Sequence, residues 1–194
     1  MSIIVNEKTY ENVLFIHIPK TAGISISNTL ETTTLNNWRS HVLPTHETYL
    51  NIKHKMGDLT DTFIFTSVRN PYTRTYSYYH HFNKINQTNY TFKEFLNFII
   101  NAKPFFPKTP FITQTQSFYV VGKNDIIAMN KIYKFENLSE FEKDFNIILS
   151  KDNVGKYNLN DYKKDYDDEA IRIVSEYYNE DFINFNYSKN FNIL

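Results

Sequence analysis

Two short apolar runs, each cut off by a proline, restrict the architecture of this chain more than any other feature. Val13-Leu14-Phe15-Ile16-His17-Ile18 is followed at once by Pro19, and Phe63-Ile64-Phe65-Thr66-Ser67-Val68 is closed by Arg69-Asn70-Pro71. Runs this short and this continuously apolar are expected of strands buried on both faces, as in a parallel sheet covered by helices. Lys131-Ile132-Tyr133-Lys134-Phe135 is a third candidate strand, and residues 117–121 and 126–129 flank Gly122-Lys123-Asn124-Asp125 as a small hairpin or turn.

Helical signals fall between these runs. Thr91 with Glu94 makes a capping-box pattern ahead of Phe92, Phe95, Leu96 and Ile99. Ser139 with Glu142 repeats it, with Leu138, Phe141, Phe145 and Ile148 on one face. Ala170, Ile171, Val174, Tyr177 and Tyr178 mark a third amphipathic helix. Strands alternating with helices predict an α/β fold with three layers, a central parallel sheet between helices. Residues 103–110 carry three prolines and read as a surface loop. With 194 residues, no internal repeat and no linker, residues 1–194 are expected to form one domain.

Composition removes several function classes. There is no cysteine, so thiol catalysis, iron–sulfur clusters and cysteine zinc sites are excluded, and a reducing, cytoplasmic setting is expected. The 21 basic and 21 acidic residues cancel, so no global field draws the chain to nucleic acid. An anion site must therefore be built locally. No apolar run approaches the length of a membrane span, and Met1 to Tyr10 lacks the pattern of a signal peptide.

Ile18-Pro19-Lys20-Thr21-Ala22-Gly23-Ile24-Ser25 is the first place where an anion could sit. Pro19 ends a strand, Gly23 permits a tight backbone path, and a helix can start from Ile24. Backbone N–H groups at such a junction point at one spot. Lys20 adds charge, and the hydroxyls of Thr21 and Ser25 add donors. The lysine precedes the glycine, so this is not the G-x-x-x-x-G-K-[ST] loop of phosphate-binding NTPases. It closely resembles instead the 5′-phosphosulfate loop of sulfotransferases that use 3′-phosphoadenosine 5′-phosphosulfate (PAPS), above all the carbohydrate sulfotransferase branch, which reads like I-P-K-T-A-G-T-S. Lys20, Thr21, Ala22, Gly23 and Ser25 match, and Ile24 replaces the usual threonine.

The second run leads into Val68-Arg69-Asn70-Pro71-Tyr72-Thr73-Arg74-Thr75-Tyr76-Ser77-Tyr78-Tyr79. Arg69 stands at the C-terminal end of a strand, the edge where open α/β sheets take ligands, and its planar fork suits a phosphate monoester. Pro71 can open a helix whose first two turns contain Ser77. The segment resembles the same family's 3′-phosphate motif, R-N-P-Y-D-R-x-x-S-x-Y, with Thr73 in place of the aspartate, a position expected to be structural. The resemblance gives Arg69 and Ser77 the grip on the 3′-phosphate. Gln116-Ser117-Phe118-Tyr119 is similar to the family's P-Q-S-x-Y, Lys134 to Leu138 to its R-F-E-N-L, and Tyr177 to Tyr187 to its closing Y-x-x-D-F-x-x-F-x-Y.

The resemblance implies a P-loop-like fold and transfer of a sulfuryl group from PAPS to a hydroxyl-bearing acceptor, leaning toward a glycan. It also implies that Lys20 and Arg69 do without a metal. Lys20 would stabilise the leaving phosphate, and Lys20, Thr21, Ala22, Gly23, Ile24, Ser25, Arg69 and Ser77 would bind the donor. A general base is still needed, and histidine suits that work near neutral pH. His17 inside the strand reads as a core residue, and His80 and His81 as structural or substrate-facing. Among His41, His46 and His54, His46 opens an H-x-T-x-x-x-I segment, the pattern that precedes the motif arginine in small members, and is favoured. The alternatives are a non-catalytic module that binds PAPS or its desulfated product, a small P-loop kinase and a purely structural protein.

Overall fold

The computed structural model describes residues 3–5, 8–10, 12–32, 46–101, 114–150 and 161–193, the first two stretches by backbone alone. His41 and the proline-rich stretch 103–110 lie outside these residues. The elements run β1 (Ile3–Val5), β2 (Lys8–Tyr10), β3 (Asn12–Ile16), α1 (Gly23–Thr32), α2 (Tyr49–Met56), β4 (Thr62–Val68), α3 (Pro71–Asn86), α4 (Phe92–Asn101), α5 (Gln116–Val120), β5 (Lys131–Lys134), α6 (Ser139–Phe145), α7 (Tyr162–Asp165), α8 (Asp168–Tyr177) and α9 (Asn179–Asn184). The fold class is α/β with a parallel sheet, as the alternation of runs predicts. Residues 1–68 with 116–154 form one compact unit, and residues 69–115 with 155–194 form a second.

The sheet belongs to the first unit, in the order β3-β4-β5 and parallel throughout, with Asn12 opposite Thr62 and Phe65 opposite Lys131. All seven residues of β4 are buried, which is why its sequence does not alternate. One face carries Val13, Phe15, Phe63, Phe65 and Tyr133 against Ile26 and Leu30 of α1 and Phe141 of α6. Leu14, Ile16 and Ile64, which point the other way along their strands, are buried too. Register at the third strand is set by Asn130, whose side chain accepts from Ile64 N at 2.7 Å while its own N–H donates to the Ile64 carbonyl at 2.7 Å. The separate β1–β2 pair is antiparallel, with Ile3 opposite Tyr10.

The second unit is helical and rich in aromatic residues. Tyr72, Tyr76 and Phe82 of α3 pack with Phe92, Phe95 and Ile99 of α4 and with Ala170 and Val174 of α8. The buried tyrosines find acceptors: Tyr72 Oη donates to the Lys189 carbonyl (2.9 Å), Tyr76 Oη to Asp165 (2.7 Å) and Tyr166 Oη to the Tyr72 carbonyl (2.8 Å). Arg74 and Asp181 form a pair at 3.9 Å, both inaccessible to solvent, with the guanidinium also over the rings of Tyr78 and Tyr178.

Several local expectations are met and three are corrected. The Thr91–Glu94 capping box forms in both directions, with Thr91 N donating to Glu94 at 2.7 Å and Glu94 N donating to Thr91 Oγ1 at 3.3 Å. The second box does not form: Ser139 Oγ donates to Asn137, and Glu142 accepts from Leu149 N at 2.9 Å beyond the helix end. Asn146 adopts a left-handed conformation that stops α6 after Phe145, so Ile148, expected on the helix face, is 87% exposed. Residues 116–120 are helical, where residues 117–121 were expected to flank 122–125 as one side of a small hairpin or a turn. Gln116, Ser117, Tyr119 and Val120 are buried, and the turn beyond them does form, with Gly122 N donating to the Ile126 carbonyl at 2.7 Å, Ala128 N to the Val120 carbonyl at 3.0 Å and an isolated Val121–Ile127 bridge.

Candidate active site

The loop after β3 is bent at residues that are not glycine. Lys20 and Ala22 both have left-handed backbones, with φ of 68° and 70°, separated by a single residue. Side chains disfavour this conformation by on the order of 1–3 kcal/mol each, so it persists only where the surroundings enforce it. The enforcement comes from Thr21. Its Oγ1 donates to the Ile18 carbonyl at 2.9 Å and lies 3.0 Å from Ser67 Oγ, and Ser67 Oγ donates back to the Thr21 carbonyl at 2.7 Å. The Thr21 hydroxyl, expected as a donor to the anion, is therefore used inside the fold to pin the loop to β4. Closely spaced left-handed residues turn successive N–H groups into a concavity suited to an anion. The first hydrogen bond of α1 runs from Ile26 N to the Ala22 carbonyl at 3.1 Å, so Gly23, Ile24 and Ser25 form the first turn above that concavity. Ile24 is 44% exposed there and Ser25 is buried.

Gly23 has a different task from the one its type suggests. Its φ is not left-handed, and the tight path falls on its neighbours. A Cβ at this position would lie 1.9 Å from Cδ2 and 2.0 Å from Nε2 of His17. The position is glycine because an imidazole lies against its backbone.

That imidazole follows the last residue of β3 and does not sit inside the strand. Its ring stacks on Phe15 at 5.6 Å and meets the ring of His46 edge-on at 4.5 Å. Burial, with the neighbouring His46 adding to it, holds the His17 pKa down at about 3, so the ring is neutral at ordinary pH.

His46 is placed by the same residue. Its Nδ1 is 3.1 Å from the His17 carbonyl oxygen. A carbonyl can only accept, so Nδ1 carries the hydrogen in this bond, and in the neutral ring the basic lone pair is on Nε2. His46 also has a left-handed backbone, φ 74°. It precedes α2, which is capped by Thr48 Oγ1 accepting from Asn51 N at 3.2 Å, while Glu47 is paired with Lys55. His54 lies within α2. The first unit thus brings Lys20, Thr21, Ala22, Gly23, Ser25, His17 and His46 into one constellation, of which only His17 escaped the reading of the sequence. Its signal was available in the pairing of a histidine after the strand with a glycine at the start of the helix.

Arg69 and Ser77 belong to the second unit. Arg69 directly follows β4 and is buried, and its Nε donates to Thr73 Oγ1 at 3.1 Å. Thr73, where the motif has aspartate, donates in turn to the Asn70 carbonyl at 3.2 Å. It thereby orients the arginine, a role consistent with the structural part expected of it. Asn70 caps α3 by accepting from Tyr72 N at 2.9 Å, and Pro71 occupies the first turn as its fixed φ favours. Ser77 is buried two turns into α3. His80 is half-buried against Tyr76 and Tyr79, and His81 is exposed.

Among the described residues there is no group of three or more metal-ligating side chains, and no helix is long and apolar enough to cross a membrane. Comparison with curated proteins gives no match, and neither does comparison with solved structures. The family model described as "Sulfotransferase family" matches residues 2–188. With nearly its whole length matched, the chain belongs to the sulfotransferase family, enzymes of sulfuryl transfer.

Proposed function

We propose that this enzyme takes its sulfuryl group from PAPS and passes it to an acceptor hydroxyl, as one catalytic domain without a metal. The observation that carries the reading is the strained constellation of Lys20, Ala22 and His46, all left-handed, with the Nδ1 of His46 committed to a carbonyl. Strain of this kind gathers where a site needs groups held in advance.

The residues suit such a donor. The bent loop 20–22 and the first turn of α1 offer backbone donors and a lysine to the 5′-phosphate and sulfate, and Arg69, held by Thr73, offers a fork to a 3′-phosphate. Ser77 serves the same phosphate. When bound, the donor supplies the sulfuryl group: a new S–O bond forms to the acceptor oxygen as the S–O bond to the 5′-phosphate breaks. His46 Nε2 takes the proton that the acceptor hydroxyl gives up. Lys20 neutralises the charge that gathers on the leaving phosphate, so its effect is greatest in the transition state. A sugar hydroxyl is the proposed acceptor, on the strength of the loop's likeness to the carbohydrate branch, and the absence of cysteine fits the cytoplasm.

The test is transfer of labelled sulfate from PAPS onto a fractionated host extract, run with the wild type and His46→Ala. The variant is expected to lose about 10²–10⁴ in rate while binding the desulfated nucleotide normally. Wild-type protein that binds this nucleotide and labels nothing would favour the non-catalytic module. Near-normal rate in His46→Ala would remove the histidine mechanism.

A further inference from the structure

His17 is a half-buried imidazole to which the mechanism above gives no work. It touches three separate parts of the first unit: Phe15 on β3 at 5.6 Å, the backbone of Gly23 where α1 begins, and the ring of His46 at 4.5 Å. Its carbonyl also fixes Nδ1 of His46 at 3.1 Å. A ring trapped on two sides by backbone and a stacked phenylalanine can serve as a stop for the third neighbour. A stop of this kind fixes the aim of the His46 ring, which its backbone carries in a left-handed conformation.

We infer that His17 is the positioning residue of this active site, aiming the imidazole of His46, and that Gly23 is glycine to leave room for the His17 ring. The inference rests on the assignment of His46 as the base. It gives the glycine of the loop a steric purpose distinct from phosphate binding, and it links the start of α1 to the base through one side chain.

Because the His17 carbonyl survives any substitution, removing the ring tests the stop alone. His17→Ala is expected to lower kcat by about 10- to 100-fold, the effect of a small misplacement of a reacting group. The KM for PAPS and the affinity for the desulfated nucleotide should hardly move. His17→Phe, which keeps a planar ring in the slot, should recover most of the lost turnover and guards against a variant that fails to fold. In the His46→Ala background, His17→Ala should cost nothing further, as expected when one residue acts through the other. Gly23→Ala should lose turnover or thermal stability because its methyl meets the His17 ring, and His17→Ala/Gly23→Ala should do no worse than His17→Ala.

Wild-type kcat in His17→Ala overturns the inference. So does an equal loss on adding His17→Ala to His46→Ala, or a double Gly23 variant in which the two losses add. An active His46→Ala is a separate failure, of the base assignment, and the melting temperatures of the Gly23 variants still decide the steric part.

Discussion

The turn after β3 and the turn after β4 follow buried strands and carry the two segments that resemble the family's anion motifs, yet they are built in opposite ways. In the first, two side-chain-bearing residues take left-handed backbones, and Thr21 and Ser67 hold them there through hydroxyl bonds directed into the fold. In the second, every local preference agrees: asparagine caps, proline starts the helix and threonine steadies the arginine. One motif presents a shaped backbone and the other a side chain on a relaxed support. A reacting end needs fixed geometry, whereas the grip on a remote phosphate needs charge and reach. The difference predicts that the first region governs rate and the second governs recognition.

The largest expected effect tests the rate side. Lys20→Ala should cut turnover by about 10²–10³, the scale for loss of one charge-stabilising donor, with a much smaller change in the KM for PAPS. Steady-state kinetics decide it, and a raised KM at normal turnover would make the two regions alike. On the recognition side, Arg69→Ala should weaken binding of the 3′,5′-bisphosphate nucleotide by about 10- to 100-fold and leave a nucleotide lacking the 3′-phosphate nearly unaffected. Calorimetry on the two nucleotides reads the contrast directly, and equal weakening would make Arg69 structural.

Acid should reveal the half-buried imidazole of His17 in the first region. The folded His17 pKa is near 3 against an ordinary value of 6.5, so between those values the unfolded chain binds the proton and the folded one does not. Stability is thus complete above about pH 6.5 and falls as pH drops toward 3, by about 2 kcal/mol at pH 5 from this group. Burial lowers the His80 pKa as well, adding to the same slope, whereas the lowered pKa values of Glu47 and Glu94 act only in more acid solution. Denaturant melts of the wild type and His17→Phe at pH 7 and pH 5 should therefore converge as the pH falls, and parallel lines would show that His17 does not titrate this way. The smallest effects concern backbone. Asn70→Ala should cost about 1 kcal/mol as a lost helix cap. Ala22→Gly should change stability by less than about 0.5 kcal/mol, because relief at a left-handed residue offsets the added freedom of the unfolded chain.

β3 and β4 were legible because burial on both faces leaves an unbroken apolar run, α4 because its capping box and apolar face agree, and α8 through its apolar face, whereas the short antiparallel β1–β2 pair was not anticipated. The P-K-T-A-G and R-N-P-Y segments marked the turns through their resemblance to family motifs. The path of the first turn was not legible, since composition places tight bends on glycine and here tertiary hydrogen bonds force them onto Lys20 and Ala22. For the same reason Gly23 and His17 were each read alone, when the information lies in their contact. Glu142 looked like half of a capping box because spacing cannot show that Leu149 N competes for its carboxylate. The segment 116–120 has β-favouring residues and is helical because burial at Gln116, Tyr119 and Val120 overrides that preference.

The tyrosine hydroxyls of the second unit carry a consequence for how the chain is made. Tyr72, Tyr76 and Arg74 all emerge early, at the head of α3, but their partners Lys189, Asp165 and Asp181 come last. The sheet of the first unit is complete once β5 has left the ribosome. In α3, Arg74 reaches the Gln114 carbonyl at 3.3 Å sooner, but its carboxylate partner Asp181 and the acceptors of Tyr72 and Tyr76 arrive only later in translation. A ribosome stalled before residue 181 would hold a chain with a finished sheet and an unfinished helical unit, and that unit is where a chaperone would find its apolar aromatic surface.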